Sequence, residues 1–596
     1  MAVLNRYRGL AAGALCILVA ASTPALPALA RPPARDGQPT LDACARLGFD
    51  PAALEDRGGI AKRSPGGGKR RYAYAPAPRP PPPPVLMAPP VSSPSLPAMA
   101  PSPAQVAGNS GYYRALGKQA GDIETEKYPG AASNPIRQAA TDPVSTFSID
   151  VDTAAYANVR RFLTDGRLPP KDAVRVEELV NYFDYGYAAP ANAAEPFKAY
   201  TAVAPSPWAA GKQIVHIGLQ GYDIPRASQP PLNLVFLIDT SGSMTAEDKL
   251  PLAAKAMNIL IDQLSPRDRV SMVAYAGSAG AVLAPTSGAE KLKMRCALGA
   301  LQAGGSTTGG EGLALAYALA QQNFRKDAVN RVILLTDGDF NVGVADPSKL
   351  KDFVADKRKT GIYLSVYGFG RGNYNDTMMQ TLAQNGNGTA GYIDTLEEGR
   401  KLFRDDFSGS VFPIADDVKI QVEFNPATVS EYRLIGYETR MLAREAFNND
   451  QVDAGEVGSG VSVTALYEVT PVGGPASADP LRYGTAVPRP GPAGELAFLK
   501  IRYKLPGGQV SKLIQQPIGA SSAYPTVDAA PEATRWAVSV AAYGQTLRGD
   551  PWLSPAFGWD RIETLAQSAR GKDPDGQRAE FIRLVRAAKE GKRLNE

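Results

Sequence analysis

Leu234-Val235-Phe236-Leu237-Ile238-Asp239-Thr240-Ser241-Gly242-Ser243, residues 234–243, is the stretch that decides the fold of this chain. Five apolar residues in a row, with no period-2 alternation, suit a strand covered on both faces. The Asp-x-Ser-x-Ser run then stands where such a strand turns into a helix. The same transition recurs at Val332-Ile333-Leu334-Leu335-Thr336-Asp337-Gly338-Asp339. From residue 232 to about 410 the pattern alternates. Strands are expected at 232–238, 270–275, 332–335, 362–367 and 392–394, with helices at 249–264, 291–301, 312–324, 348–359 and 397–406. Such alternation builds an α/β domain with a doubly wound, mostly parallel sheet.

In an open α/β sheet the loops that follow the strands gather at the carboxyl edge, where ligands bind. Three polar loops share that edge: 239–243, 336–339 and the glycine-rich Gly304-Gly305-Ser306-Thr307-Thr308-Gly309-Gly310. One Asp/Ser/Gly turn alone is a common helix cap. Three in this order bring together the carboxylates of Asp239 and Asp337 and the hydroxyls of Ser241, Ser243 and Thr307. Hard divalent cations take oxygen ligands in near-octahedral geometry. Two carboxylates neutralise a divalent ion, and the neutral hydroxyls leave it electrophilic enough to accept a partner's carboxylate.

Composition narrows the chemistry further. The 596 residues include a single His, His216, and three Cys, at 16, 44 and 296. A Ser-His-Asp or Cys-His catalytic unit needs an imidazole beside its nucleophile, and a His-rich metal centre needs several. His216 lies in a strand-like run, 214–219, opposite Val215, Ile217 and Leu219; it reads as a structural or surface residue. Three scattered Cys offer no C-x-x-C pair and no even disulfide framework, so neither a thiol redox site nor a Cys-ligated metal is expected.

The ordered loops Asp239-Thr240-Ser241-Gly242-Ser243, the glycine-rich loop with Thr307 and Asp337-Gly338 resemble a von Willebrand factor A domain carrying a metal-ion-dependent adhesion site. The resemblance implies Asp239, Ser241, Ser243, Thr307 and Asp337 as the metal set, holding magnesium, with manganese or calcium as alternatives. Thr307 is preferred to Thr308 because Gly312-Leu313 then falls at the helical spacing that follows the ligand Thr. Asp339 is close but outside the family pattern. The runs at 147–153 (FSIDVDT), 176–183 (VEELVNYF) and 541–548 (AAYGQTLR) are similar to the bacterial YfbK-like A-domain proteins, over roughly residues 140–590. Asp150 and Asp152 suggest a second metal site at first sight; a helix cap is the simpler account.

Residues 1–30 read as an export signal: Arg6 and Arg8 precede an apolar run, and Ala28-Leu29-Ala30 stands before Arg31. A lipoprotein route through Cys16 lacks the large and tiny residues expected before it. Residues 31–140 read as a disordered Pro/Ala-rich linker, with 13 prolines among the 28 residues of 76–103. Its functional reading is a spacer from a membrane or wall. Residues 31–110 hold ten basic and five acidic side chains, so the net charge of +5 arises mainly outside the folded body, which argues against a nucleic-acid partner. A helical unit spans 141–195, with Tyr156, Val159, Leu163 and then Val176, Leu179, Val180, Phe183 at helical spacing. Strand-like runs at 197–203, 214–219, 418–424, 463–469 and 496–503 are expected to form one β-sandwich (196–229 with 411–520) around the inserted domain, 230–410. That reading requires 197–219 to share a sheet with 418–424 and 496–503. A helical region closes the chain at 521–596, with Trp536, Val540, Tyr543 and Leu547 on one face and Phe581, Leu584, Val585 and Ala588 on another.

These features predict an exported, non-enzymatic module, periplasmic or envelope-held, whose metal engages an acidic residue of a protein partner. Peripheral membrane or wall association is compatible with it, and no stretch of ~18 apolar residues follows the leader to span a bilayer. The alternatives are a metal-dependent hydrolase, with Asp339 or Glu247 as base, and an accessory subunit of an envelope transport or channel complex.

Overall fold

The computed structural model describes residues 41–49, 125–149, 152–305, 309–338, 347–452, 454–479, 492 and 494–595. The α/β domain is built on six strands in the order Ala390–Ile393, Ile362–Phe369, Val329–Thr336, Leu232–Asp239, Arg269–Tyr275, Ala279–Ser287. All neighbours are parallel except the edge strand Ala279–Ser287. Every residue of Leu232–Asp239 is buried. Leu234, Phe236 and Ile238 face the helices Leu250–Gln263 and Lys291–Gly299; Val235 and Leu237 face Gly309–Gln322, Pro347–Lys359 and Asp376–Asn385. That double cover is why the strand carries no polar alternation. The expected strands and helices are all present, the last helix as Leu396–Arg400 continuing in a π-turn, Lys401–Asp405.

The β units differ from expectation in their sheet assignment. Phe197–Pro205 and Gln213–Gly221 join Ser462–Pro471, Val429–Ile435 and Arg137–Gln138 in one sheet. Pro413–Phe424 and Glu495–Lys504 lie in another, with Ser511–Gly519, Val457–Gly458 and Val144–Ser148. So 197–219 does not share a sheet with 418–424 and 496–503. The two sheets pack face to face, with Val215, Ile217 and Leu219 sharing a core with Val418, Ile420, Leu499 and Ile501, so a sandwich still forms. The α/β domain leaves it after Gly221 and returns at Pro413.

The helical regions at the two ends form one unit. Ala154–Thr164 and Val176–Val180 pack with Glu532–Arg548, Trp559–Ser568 and Gln577–Asn595 in a single core. Phe183 meets Trp536 edge-on at 5.2 Å, and Trp536 meets Phe581 at 5.2 Å. This unit covers the outer face of the first sheet. His216 is therefore fully buried and not at the surface, with Nδ1 2.9 Å from Thr534 Oγ1 and Nε2 2.6 Å from the Tyr187 hydroxyl.

Three further expectations are corrected. Asp152 is not a helix cap: its Oδ1 accepts the Ala390 N–H at 2.8 Å, tying the first helix to the α/β sheet. Asp150 lies outside the described residues. Cys44 and Cys296 form a disulfide across 252 residues, Cα to Cα 5.3 Å. The third cysteine, Cys16, lies outside the described residues. The linker expected over 31–140 is structured at 41–49, where Leu41–Arg46 is helical, and from 125 onward, where the Thr125 and Lys127 N–H groups donate to the Gly372 and Tyr374 carbonyls, each at 2.9 Å. Both flanks of residues 50–124 are thus attached to the folded body, and the proline-rich stretch itself lies outside the described residues. No described helix is long and apolar enough to cross a membrane.

Candidate functional site

The strand order reverses between Leu232–Asp239 and Val329–Thr336, so the crevice at their carboxyl ends is the switch point of the sheet. Asp239 ends the first of these strands and Asp337 follows the second. Both are fully buried. Asp239 Oδ1 accepts the Ser241 N–H at 2.9 Å; Oδ2 accepts the hydroxyls of Tyr275 at 3.1 Å and Thr336 at 3.0 Å. Burial raises the Asp239 carboxyl, the Ser241 hydrogen bonds lower it, the charge of Asp337 raises it further, and the balance is upward.

The glycine-rich loop is stitched to the Asp-x-Ser-x-Ser loop by two backbone bonds. Gly304 N–H donates to Thr240 C=O at 2.8 Å, and Gly242 N–H donates to Gly305 C=O at 3.0 Å. Gly305 has φ +88°, a region glycine occupies at no steric cost. Thr307 and Asp339 lie outside the described residues. Gly338 is needed for close approach: a Cβ there would stand 2.6 Å from the Asn375 backbone N and 2.9 Å from the Asn373 carbonyl oxygen. Its φ is +99°.

Ser241 and Ser243 place their Oγ atoms 3.0 Å apart, with Ser241 buried and Ser243 exposed. The Ser243 hydroxyl also hydrogen-bonds the Asp337 carboxylate. The two hydroxyls and two carboxylates therefore form one oxygen-only cluster that opens to solvent over Ser243. Adjacent oxygens on an octahedral magnesium ion with bonds of about 2.1 Å stand about 3 Å apart. The hydroxyl pair already has that spacing. Among the described residues no group of three or more His, Cys, Asp or Glu is disposed to hold a metal, so a cation in this crevice would rely on hydroxyls.

Sequence reasoning missed four side chains of this site. Tyr275 and Thr336 hold Asp239, as described. Lys249 Nζ donates to Asp337 Oδ2 at 2.9 Å and to Asn373 Oδ1 at 3.0 Å. Burial would raise Asp337, but the Asn373 hydrogen bond and the Lys249 charge outweigh it and hold that carboxyl below its usual range. Lys249 was expected to open a helix that in fact begins at Leu250, and nothing in the local pattern turns its side chain inward. Glu247 is exposed, and His216 belongs to the sandwich.

Residues 233–404 match the von Willebrand factor type A domain, 122–216 a von Willebrand factor region, and 409–590 the C-terminal region of the uncharacterized protein YfbK. The uncharacterized protein YfbK of Escherichia coli strain K12 is 45% identical over 472 residues, covering 78% of this chain and 81% of that protein. Inter-alpha-trypsin inhibitor heavy chain H4 of Homo sapiens is 27% identical over 223 residues, covering 36% of this chain and 24% of that protein. A solved von Willebrand factor type A protein from Catenulispora acidiphila is 18% identical with a TM-score of 0.37, covering 65% of this chain and 89% of that one. On the extent of the YfbK match, the chain belongs to the YfbK family of bacterial von Willebrand factor type A domain proteins.

Proposed function

We propose that this chain is an exported, non-enzymatic binding module that uses a divalent cation, magnesium first, to engage an acidic side chain of a partner protein. Von Willebrand factor type A domains mediate protein–protein interaction, which sets the general role. The observation that carries the finer reading is the oxygen cluster at the switch point: Ser241 and Ser243 hydroxyls 3.0 Å apart beside two buried carboxylates, open on one side. Asp239, Ser241, Ser243 and Asp337 would hold the ion together with Thr307. When bound, the ion supplies an electrophilic position for a carboxylate. Tyr275 and Thr336 orient Asp239, and the backbone bonds to Gly304 and Gly305 keep the hydroxyl loop in place.

Export is supported by two independent features, the leader-like residues 1–30 and the Cys44–Cys296 disulfide, since such bonds persist in oxidising compartments. A non-enzymatic role is supported by the absence of imidazole from the crevice, the one His being buried in the sandwich. The test is a pull-down from envelope extract, with and without EDTA, comparing the natural chain with Asp239→Ala. Capture that disappears in EDTA and in the variant, with circular dichroism unchanged, supports the proposal. Capture that survives both overturns it.

A further inference from the structure

Among the described residues Lys249 is the one cation in contact with the proposed ligands, and the fold is shaped to keep it there. It is 7% exposed and its ammonium spans Asp337 Oδ2 and Asn373 Oδ1. Its aliphatic stem lies on Gly370, where a Cβ would come within 2.3 Å of Lys249 Cγ and Cε, and Gly370 has φ +73°. A residue at the end of a distant strand has thus been left bare to make room for this side chain. Among the described residues the carboxylates of Asp239 and Asp337 are thus offset by one ammonium, that of Lys249.

We infer that Lys249 is a built-in counter-charge that withholds part of Asp337 from the proposed cation, so that the metal and the partner's carboxylate bind as a coupled pair. The inference rests on the metal-binding reading above. Among the described residues, a divalent ion entering this crevice meets two carboxylates and one ammonium, and that ammonium lies 2.9 Å from one of the ion's own ligands. A third carboxylate, supplied by the partner, completes the neutralisation. Metal alone is then held weakly, and so is the partner alone. Either one raises the affinity for the other by the same factor, as linkage requires.

The test is calorimetric titration of the full chain with magnesium chloride, with and without sodium acetate as the carboxylate probe at matched ionic strength. The inference predicts that acetate strengthens magnesium binding to the natural chain several-fold. It predicts that Lys249→Gln binds magnesium at least tenfold more tightly without acetate and loses most of the acetate effect, while Lys249→Arg stays within about threefold of the natural chain. Magnesium affinity unchanged in a folded Lys249→Gln, with binding still abolished by Asp239→Ala, overturns the coupling and leaves the metal site standing. Loss of Asp239-dependent binding in every form removes the metal reading and the inference with it. Should Lys249→Gln fail to fold, the acetate dependence of the natural chain decides: no acetate effect overturns the inference.

Discussion

Acidification acts on this fold in part through its single histidine, and that share of the cost can be worked from the structure. His216 is enclosed by Tyr185, Tyr187 and Tyr200, with ring centroids 6.1, 5.8 and 5.2 Å away, and its two nitrogens face hydroxyls only. Burial without a carboxylate partner pushes it down from 6.5 to about 3. Because the folded value lies below the unfolded one, the unfolded chain binds the extra proton. The stabilisation is fully present above pH 6.5, declines as pH falls, and is exhausted near pH 3. Each pH unit in that window costs about 1.4 kcal/mol, so about 2 kcal/mol is lost by pH 5 and about 4 kcal/mol by pH 3. Carboxylates titrate in the same range. The assay is therefore the difference between the natural chain and His216→Gln, which removes the proton site while keeping hydrogen-bonding groups. Urea unfolding at pH 7 and pH 5 should show the natural chain losing about 2 kcal/mol more than the variant. The chain has a single His, so its imidazole signal in nuclear magnetic resonance is unambiguous. That signal should stay in the neutral form down to pH 4 in the folded protein. A midpoint near 6.5, or identical pH dependence in the two proteins, would refute the argument.

Other substitutions read other joints of the molecule. Gly312→Val would press a branched side chain into a place where even a Cβ would stand 2.9 Å from Tyr275 Cβ and 3.1 Å from Leu237 Cδ1. Stability should fall by about 1–3 kcal/mol in thermal melts, and EDTA-sensitive partner capture should weaken because the Tyr275 hydroxyl shifts from Asp239. Arg160 is buried against Asp394, Glu398, Glu580 and the Tyr182 hydroxyl, joining three parts of the chain. Arg160→Met strands buried carboxylates and should cost about 3–5 kcal/mol in urea unfolding, whereas a loss under 1 kcal/mol would show the network to be idle. The full oxidised chain should titrate one thiol, that of Cys16, after denaturation and three once dithiothreitol is added, since Cys44 and Cys296 are paired. Three thiols reacting before reduction would contradict the pairing.

Much of the α/β domain is legible in the chain because its central strands are covered on both faces, which compresses their identity into runs such as Leu234 to Ile238. The edge strand Ala279–Ser287 was not legible: several of its residues are exposed, and Gly280 and Pro285 give it the look of a loop. The two sheets of the sandwich were confused because the deciding pairing is remote. Ser462–Pro471 lies beside Gln213–Gly221, and alternation in each run fixes its own faces but says nothing of its neighbour. At the site, Asp239, Ser241, Ser243 and Asp337 were readable from loop order at the carboxyl edge. Lys249 was not, because its inward course depends on Gly370 and Asn373 in a loop more than a hundred residues away. His216 was legible as structural from its isolation, while its burial required Thr534 of the C-terminal helices.

The oxygen cluster at the switch point is proposed to bind a divalent cation, and that binding can be measured directly. Manganese is a spectroscopic substitute for magnesium with the same ligand preferences. Electron paramagnetic resonance of the full chain titrated with manganese should show a single bound ion per chain with an all-oxygen, near-octahedral signature, displaced by excess magnesium and absent from Asp239→Ala. No bound manganese at millimolar concentration, or a bound signal that survives Asp239→Ala unchanged, would contradict the account.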